Sequence, residues 1–213
     1  MRRRKRPGAK EKLLSYDQWI CTDPQQFKGS WADYFNNQYP IHVELGTGRG
    51  QFITTLAEKH PQINYIGIEV KEEVLLRAVE KVDEKKLSNI VFLWNDIGHI
   101  EDVFDKGEID RVYINFCDPW PKKRWAKRRL THKNFLEKYK VLLQEKGEIH
   151  FKTDNEKLFA FSLNEFSFCD FKLQHITFNL HEEEMKENVT TEYEDKFTAI
   201  GMKIFRCEAL KRD

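Results

Sequence analysis

The 213-residue chain contains no apolar run near the roughly 20 residues needed to cross a bilayer. Its start, Met1-Arg-Arg-Arg-Lys-Arg-Pro-Gly8, is basic, but no apolar stretch follows, so nothing there reads as a secretion signal. A soluble, cytoplasmic protein without membrane contact is expected. Cysteine is scarce: Cys21, Cys117, Cys169 and Cys207 form no C-x-x-C pair, which argues against a disulfide framework. The seven histidines lack metal-ligand spacing, so no metal is expected. Internal repeats and low-complexity segments are also missing, which excludes arrays.

What is present suits one globular unit. Hydrophobic residues make up 40% of the chain and aromatics 13%, enough to fill a core. Residues 1–12 read as a basic flexible tail and 13–213 as a single domain. The net charge of +1 hides an uneven distribution. Residues 1–12 hold seven of the 36 Lys and Arg and one of the 35 acids, and residues 122–133 hold seven more bases and no acid. The remainder therefore carries 22 bases against 34 acids. An acidic body with two concentrated basic patches points to a polyanionic partner met at defined places.

From residue 41 onward, short apolar runs alternate with helical periodicity. Strands are predicted at 41–45, 63–69, 90–94, 110–117 and 148–153. Between them, Phe52, Ile53, Leu56 and Ala57 share a helix face, as do Val74, Leu75, Ala78, Val79 and Val82. Thr131 is the expected N-cap of a helix burying Phe135, Leu136, Tyr139, Leu142 and Leu143. Leu158, Phe159, Ser162, Leu163 and Phe166 mark another helix. Two longer strands, about 171–180 and 197–207, close the chain around a polar loop, and the acidic run 182–187 reads as solvated. Upstream, Trp19, Ile20, Phe27, Trp31, Tyr34 and Phe35 are placed at the sheet edge or on a core face. The pattern predicts an α/β, doubly wound, Rossmann-like sheet, mostly parallel, with an antiparallel edge hairpin.

In such sheets ligands sit outside the carboxyl ends of the strands. The first strand runs into Glu44-Leu-Gly46-Thr-Gly48-Arg-Gly50, but Gln51 breaks the G-x-G-x-x-G spacing that a dinucleotide's pyrophosphate requires. The second ends on Glu69, whose carboxylate can accept from both hydroxyls of a ribose, and the third on Asn95-Asp96, a polar site for an adenine. Glu44 is suited to lie near a cationic group of the cofactor. This set fits S-adenosyl-L-methionine, with a nicotinamide cofactor as the rival. The fourth strand leads to Asp118-Pro-Trp-Pro-Lys-Lys-Arg-Trp125. Trp120 and Trp125 interleaved with cations are what a splayed base and its phosphates require.

Glu44-Leu-Gly-Thr-Gly-Arg-Gly50, Asn115-Phe-Cys-Asp-Pro-Trp-Pro-Lys122, Phe151-Lys-Thr-Asp154 and Thr191-Glu-Tyr-Glu194 together resemble the bacterial tRNA (guanine-N7)-methyltransferase family over roughly residues 10–207. The resemblance implies a class I methyltransferase fold and methylation of guanine N7 in tRNA, usually at position 46 of the variable loop. It implies cofactor contacts from Glu44, Glu69, Asp96 and Asp118, with Gly46, Gly48 and Asn95 alongside, and a catalytic label for Asp118. Substrate contacts would come from Lys122, Asp154, Thr191, Tyr193 and Glu194, and RNA contacts from Arg124, Trp125, Lys127, Arg128 and Arg129. Glu194 or Asp154 is the expected reader of the guanine Watson–Crick donors, and Asp118 is expected to position either the base or the methionyl amine. The expected partner is tRNA, with no obligate protein partner. A small-molecule methyltransferase would not need the basic segment, and a non-catalytic tRNA-binding subunit would not need the glycine turn and Glu69.

Overall fold

The computed structural model describes residues 8–182 and 188–212. A short segment with every residue buried, such as β2 (Ile41–Leu45) with His42 and Glu44 included, can only lie inside a sheet covered on both faces. That sheet also contains β1 (Ile20–Cys21), β3 (Asn64–Glu69), β4 (Ile90–Trp94), β5 (Ile109–Asn115), β6 (Leu143–Thr153), β7 (Phe171–Thr177) and β8 (Phe205–Lys211). The spatial order is β1-β4-β3-β2-β5-β6-β8-β7. All neighbouring strands run parallel except β8, which is antiparallel to both β6 and β7. The helices are α1 (Ala9–Leu14), α2 (Trp31–Phe35), α3 (Gln51–Lys59), α4 (Glu72–Lys85), α5 (Lys133–Leu142), α6 (Glu156–Phe168) and α7 (Glu192–Thr198). None of the described helices is long and apolar enough to cross a membrane.

The two faces of the sheet bury two apolar clusters. One gathers Trp31, Phe104, Leu136, Tyr139, Phe159 and Phe166 over one face, and the other gathers Trp19, Phe52, Ile53, Leu75 and Val79 over the opposite face. The second cluster covers only part of its face. On β5, β6 and β8 the first face takes Val112, Ile114, Ile149, Phe151, Cys207 and Ala209. The alternate residues Arg111, Tyr113, Glu148, His150, Lys152, Arg206 and Glu208 line a groove of about 400 Å³ beside α3.

Several boundaries differ from expectation for identifiable reasons. Part of the expected tail is structured: Ala9 opens α1 and is buried with Leu13, while residues 1–7 lie outside the described residues. Ile20–Cys21 pair with Phe92–Leu93 as an eighth strand, too short to show a period in sequence. β5 stops at Asn115 because Phe116 turns to φ 51°. β6 begins at Leu143, five residues earlier than predicted. His132, not Thr131, caps α5 through Nδ1, which accepts from the Asn134 N–H at 3.1 Å; the buried Thr131 hydroxyl instead bonds Ser162 at 2.6 Å. Phe197 belongs to α7, not to a strand, because Thr191 caps that helix by accepting from the Glu194 N–H at 2.9 Å. The final strand therefore starts only at Phe205. Within the acidic run, Glu182 ends a 3₁₀ turn and 183–187 lie outside the described residues.

Candidate active site

β2 lies between β3 and β5, so the chain reverses its direction of progress across the sheet there, and the carboxyl ends of these strands border a cleft of about 540 Å³. The chain leaves β2 through Gly46, which lines the cleft at φ 76°, a conformation that disfavours any residue with a side chain. Gly50 serves packing instead: a Cβ there would lie 2.6 Å from the Cβ of Ala78 on α4.

Three strand-end groups expected at the cofactor line this cleft. Glu69 Oε1 accepts from the main-chain N–H of Val70 (2.9 Å) and Lys71 (3.0 Å), and Oε2 accepts from Gly48 N–H at 3.2 Å, so the carboxylate is held at the mouth of the glycine turn. Asp96 Oδ1 accepts from Gly98 N–H at 2.8 Å, and Asn95 Oδ1 accepts from Asp96 N–H at 2.9 Å. Val70 and Ile97 supply apolar flanks. Glu44 does not line the cleft. It is buried beneath the turn, where Oε2 accepts from the Thr47 hydroxyl at 2.6 Å and Oε1 from the Asn115 amide at 2.9 Å. Burial pushes its carboxyl up to about 7, against the two hydrogen bonds and the Lys152 charge, which pull it down. Glu44 thus ties the glycine turn to the end of β5.

The other wall starts at Phe116, whose N–H donates to the Lys152 carbonyl at 2.9 Å, and continues through Cys117 to the exposed Asp118. Burial, with the Asp118 charge adding to it, pushes the Cys117 thiol up to about 12, which favours the protonated thiol. Trp120 and Trp125 meet edge to face at 5.8 Å. Lys122 and Arg124 lie over the Trp125 ring (4.8 and 5.2 Å), and Arg128 over Trp120 (4.9 Å). Lys127 and Arg128 face the cleft with Asp118. Arg129 is engaged differently. Its Nε and Nη2 donate to the carbonyls of Pro119 and Trp120, both at 3.0 Å, and its guanidinium lies 4.3 Å from the Phe161 ring. It braces the Asp-Pro-Trp-Pro turn through two of the guanidinium's N–H groups.

Beyond Asp118, the ends of β6 and α7 meet. The Tyr193 hydroxyl donates to Asp154 Oδ2 at 3.1 Å, and the Tyr193 ring lies 4.9 Å from Phe116 and 4.1 Å from Phe197. Burial and the Asp154 charge push the Tyr193 hydroxyl up to about 12, so it remains a donor. Thr191 serves as the α7 cap. Glu194 is wholly buried: Oε2 accepts from Lys152 Nζ at 2.8 Å, Oε1 accepts from Asn188 Nδ2 at 2.9 Å, and His181 Nε2 lies 3.1 Å away. Of the two carboxylates considered for the guanine edge, Asp154 is half-exposed and Glu194 is enclosed. Phe116 and Lys152, though inside quoted motifs, and Phe197 in α7 were given no role from the sequence, because a lone apolar or basic residue carries no distinguishing signal.

A seven-strand parallel core with one reversed strand and a strand-end carboxylate cleft at the reversal point defines a methyltransferase fold of the Rossmann-like class. Residues 38–207 match the family model described as "Putative methyltransferase". A solved structure described as an antibiotic-related methyltransferase is similar, with a TM-score of 0.65 at 20% identity, covering 85% of this chain and 92% of that one. Another, a SAM-dependent methyltransferase from Aquifex aeolicus, gives a TM-score of 0.58 at 15% identity over 98% of this chain and all of that one. Among curated relatives, the tRNA (guanine-N(7)-)-methyltransferase of Clostridioides difficile (strain 630) is 59% identical over the full length of both chains. The chain belongs to the tRNA (guanine-N7)-methyltransferase family.

Proposed function

We propose that this protein methylates N7 of guanosine in tRNA, at position 46 of the variable loop, with S-adenosyl-L-methionine as methyl donor. The observation that carries the reading is a single cleft in which strand-end carboxylates, Glu69 and Asp96, continue without interruption into Asp118, Trp120, Lys127 and Arg128. The donor and acceptor set suits this cofactor: Glu69 for the ribose hydroxyls, Asn95 and Asp96 for the adenine edge, and Val70 and Ile97 for the purine faces. When bound, S-adenosyl-L-methionine supplies an electrophilic methyl group.

The residues of the chain then have to hold guanine. N7 carries an in-plane lone pair and no proton, so no general base is needed before attack, and orientation and electrostatics carry the rate. Asp118, at the lip of the cleft, places a negative charge where the purine becomes positive as N7 is alkylated. Asp154, oriented by the Tyr193 hydroxyl, offers carboxylate acceptors to the N1–H and N2–H₂ donors. Lys122, Arg124 and Arg128 lie over the two tryptophans, and together with Lys127 on the cleft lining they serve the phosphates. A cytoplasmic location follows from this substrate.

The test is nucleoside analysis of a tRNA transcript after incubation with methyl-labelled S-adenosyl-L-methionine. Labelled 7-methylguanosine is expected, and it should disappear when guanosine 46 is replaced by adenosine. No 7-methylguanosine from the unmodified transcript would overturn the reading; label persisting in the adenosine-46 transcript would overturn the position.

A further inference from the structure

We propose that Lys152 is a positioning residue that holds the guanine-facing wall of the site together, with Glu194 as its buried counter-ion instead of a reader of the base. The inference rests on the tRNA-methylation reading for its functional consequence, though not for its geometry. Lys152 is 4% exposed and Glu194 is 0% exposed. Its Nζ has three partners: Glu194 Oε2 at 2.8 Å, the Val189 carbonyl at 2.8 Å and Asn188 Oδ1 at 3.2 Å. An ammonium has three protons, so its donor capacity is fully used on the first turn of α7 and the segment leading into it. The main chain of the same residue works in the opposite direction, where the Lys152 carbonyl accepts from Phe116 N–H and fixes the turn that delivers Asp118.

These contacts close a ring. Lys152 holds Glu194 through its side chain and Phe116 through its backbone, and the Phe116 ring packs on Tyr193, the residue next to Glu194. Tyr193 in turn orients Asp154, two residues beyond Lys152 on the same strand end. The site surfaces that would meet guanine, Asp118 on one side and Asp154 with Tyr193 on the other, are therefore placed relative to each other through one lysine. Burial lowers the Lys152 ammonium from the ordinary lysine range, and Glu194 opposes that shift. Glu194 is fully buried and both of its carboxylate oxygens are already engaged, Oε2 by Lys152 and Oε1 by Asn188 and His181. Removing the lysine should release the wall without touching Glu69 or Asp96 at the cofactor end.

The experiment compares wild type, Lys152→Met, Glu194→Gln and the double variant. The double variant leaves no lone buried charge, so it stays informative if a single variant fails to fold. Amide hydrogen exchange comes first and needs no activity: exchange across residues 189–198 should rise at least tenfold in all variants, while α3 and α4 stay protected. Affinity for S-adenosyl-L-methionine should stay within threefold. Single-turnover methylation of tRNA should fall at least 30-fold in each single variant and no further in the double variant, because both substitutions break the same ion pair. The preference for guanosine over inosine at the target should be the same in all four proteins, since Asp154 remains. Unchanged exchange over 189–198, losses that multiply in the double variant, or a guanosine-to-inosine ratio that shifts in Glu194→Gln alone would each overturn the proposal. Failure of wild type to methylate tRNA would reject the functional reading while leaving the exchange result to decide the latch.

Discussion

The two walls of the cleft are built on opposite plans. Along β3 and β4, each polar group is held mainly by the loop that carries it: Glu69 by the N–H groups of Val70 and Lys71, with one further bond from Gly48 in the glycine turn, and Asp96 by the N–H of Gly98. Along β5 and β6, the groups are held by distant partners. Tyr193 reaches Asp154 across 39 residues, Lys152 reaches Glu194 across 42, and Asn115 reaches Glu44 across 71. A locally braced carboxylate keeps its geometry whatever the neighbouring wall does, whereas a wall assembled from remote pairs moves as a unit. Cofactor binding and guanine presentation should therefore be separable by mutation.

The largest break in this comparison is expected at Asp118, where the two walls meet. Asp118→Asn preserves shape and removes the charge, so methylation should drop on the order of 10²–10³-fold. Binding of S-adenosyl-L-methionine by calorimetry should change much less. Because N7 has no proton to lose, the wild-type chemical step should show no solvent isotope effect from base deprotonation, and a large effect in single-turnover assays would mean Asp118 moves a proton.

Glu44 sharpens the comparison through pH. Its carboxyl rises from an ordinary 4.5 to about 7 in the folded protein. The native state thus binds this proton more tightly than the unfolded chain, and the resulting stability is full below about pH 4.5 and is lost as pH rises through about 7. Glu44→Gln keeps the neutral shape at every pH. Its stability advantage over wild type in urea titrations should widen from about pH 5 to about pH 8, reaching at most about 3 kcal/mol at about 1.4 kcal/mol per unit. A gap that stays constant across that range would mean the buried carboxyl is ionised.

Glu69→Ala isolates the locally braced wall. Loss of a charge-assisted acceptor should weaken S-adenosyl-L-methionine by about 1.5–3 kcal/mol while leaving tRNA affinity unaltered. Equal weakening of both ligands would show that the walls are coupled after all.

The smallest effects concern the basic segment. Replacing Arg124, Lys127 and Arg128 together should reduce the salt slope of tRNA binding by about 0.7–0.9 for each phosphate no longer neutralised. Arg129→Ala should leave that slope unchanged and instead lower stability by about 1–3 kcal/mol, since it strips donors from the Pro119 and Trp120 carbonyls. A changed slope for Arg129→Ala would return this residue to the RNA surface.

The wall along β3 and β4 was nearly all legible in the sequence. Short strand-forming runs marked β2, β3 and β4, and the rule that ligands sit at strand ends selected Glu69, Asn95 and Asp96, all of which line the cleft. The wall along β5 and β6 was legible only as a set of names. Thr191-Glu-Tyr-Glu194 fits the S/T-x-x-E pattern of a helix start as well as it fits a polar loop, and the Thr191 cap decides for the helix. Among the cations of 122–133, nothing local distinguished Arg129, whose acceptors are main-chain carbonyls nine and ten residues back.

The order of strands and helices, the glycine turn, and the carboxylates that follow β3 and β4 were determined by the sequence alone, because periodicity, backbone freedom and loop hydrogen bonds act over a few residues. The enclosure of Glu194, the bracing role of Arg129 and the tie from Glu44 to Asn115 were decided only by the tertiary structure. A charged side chain written in a sequence is equally suited to meet a substrate or to bury itself against an opposite charge. Which of the two occurs depends on whether folding brings a partner close enough to offset the loss of water, and at the end of β6 it brings Lys152.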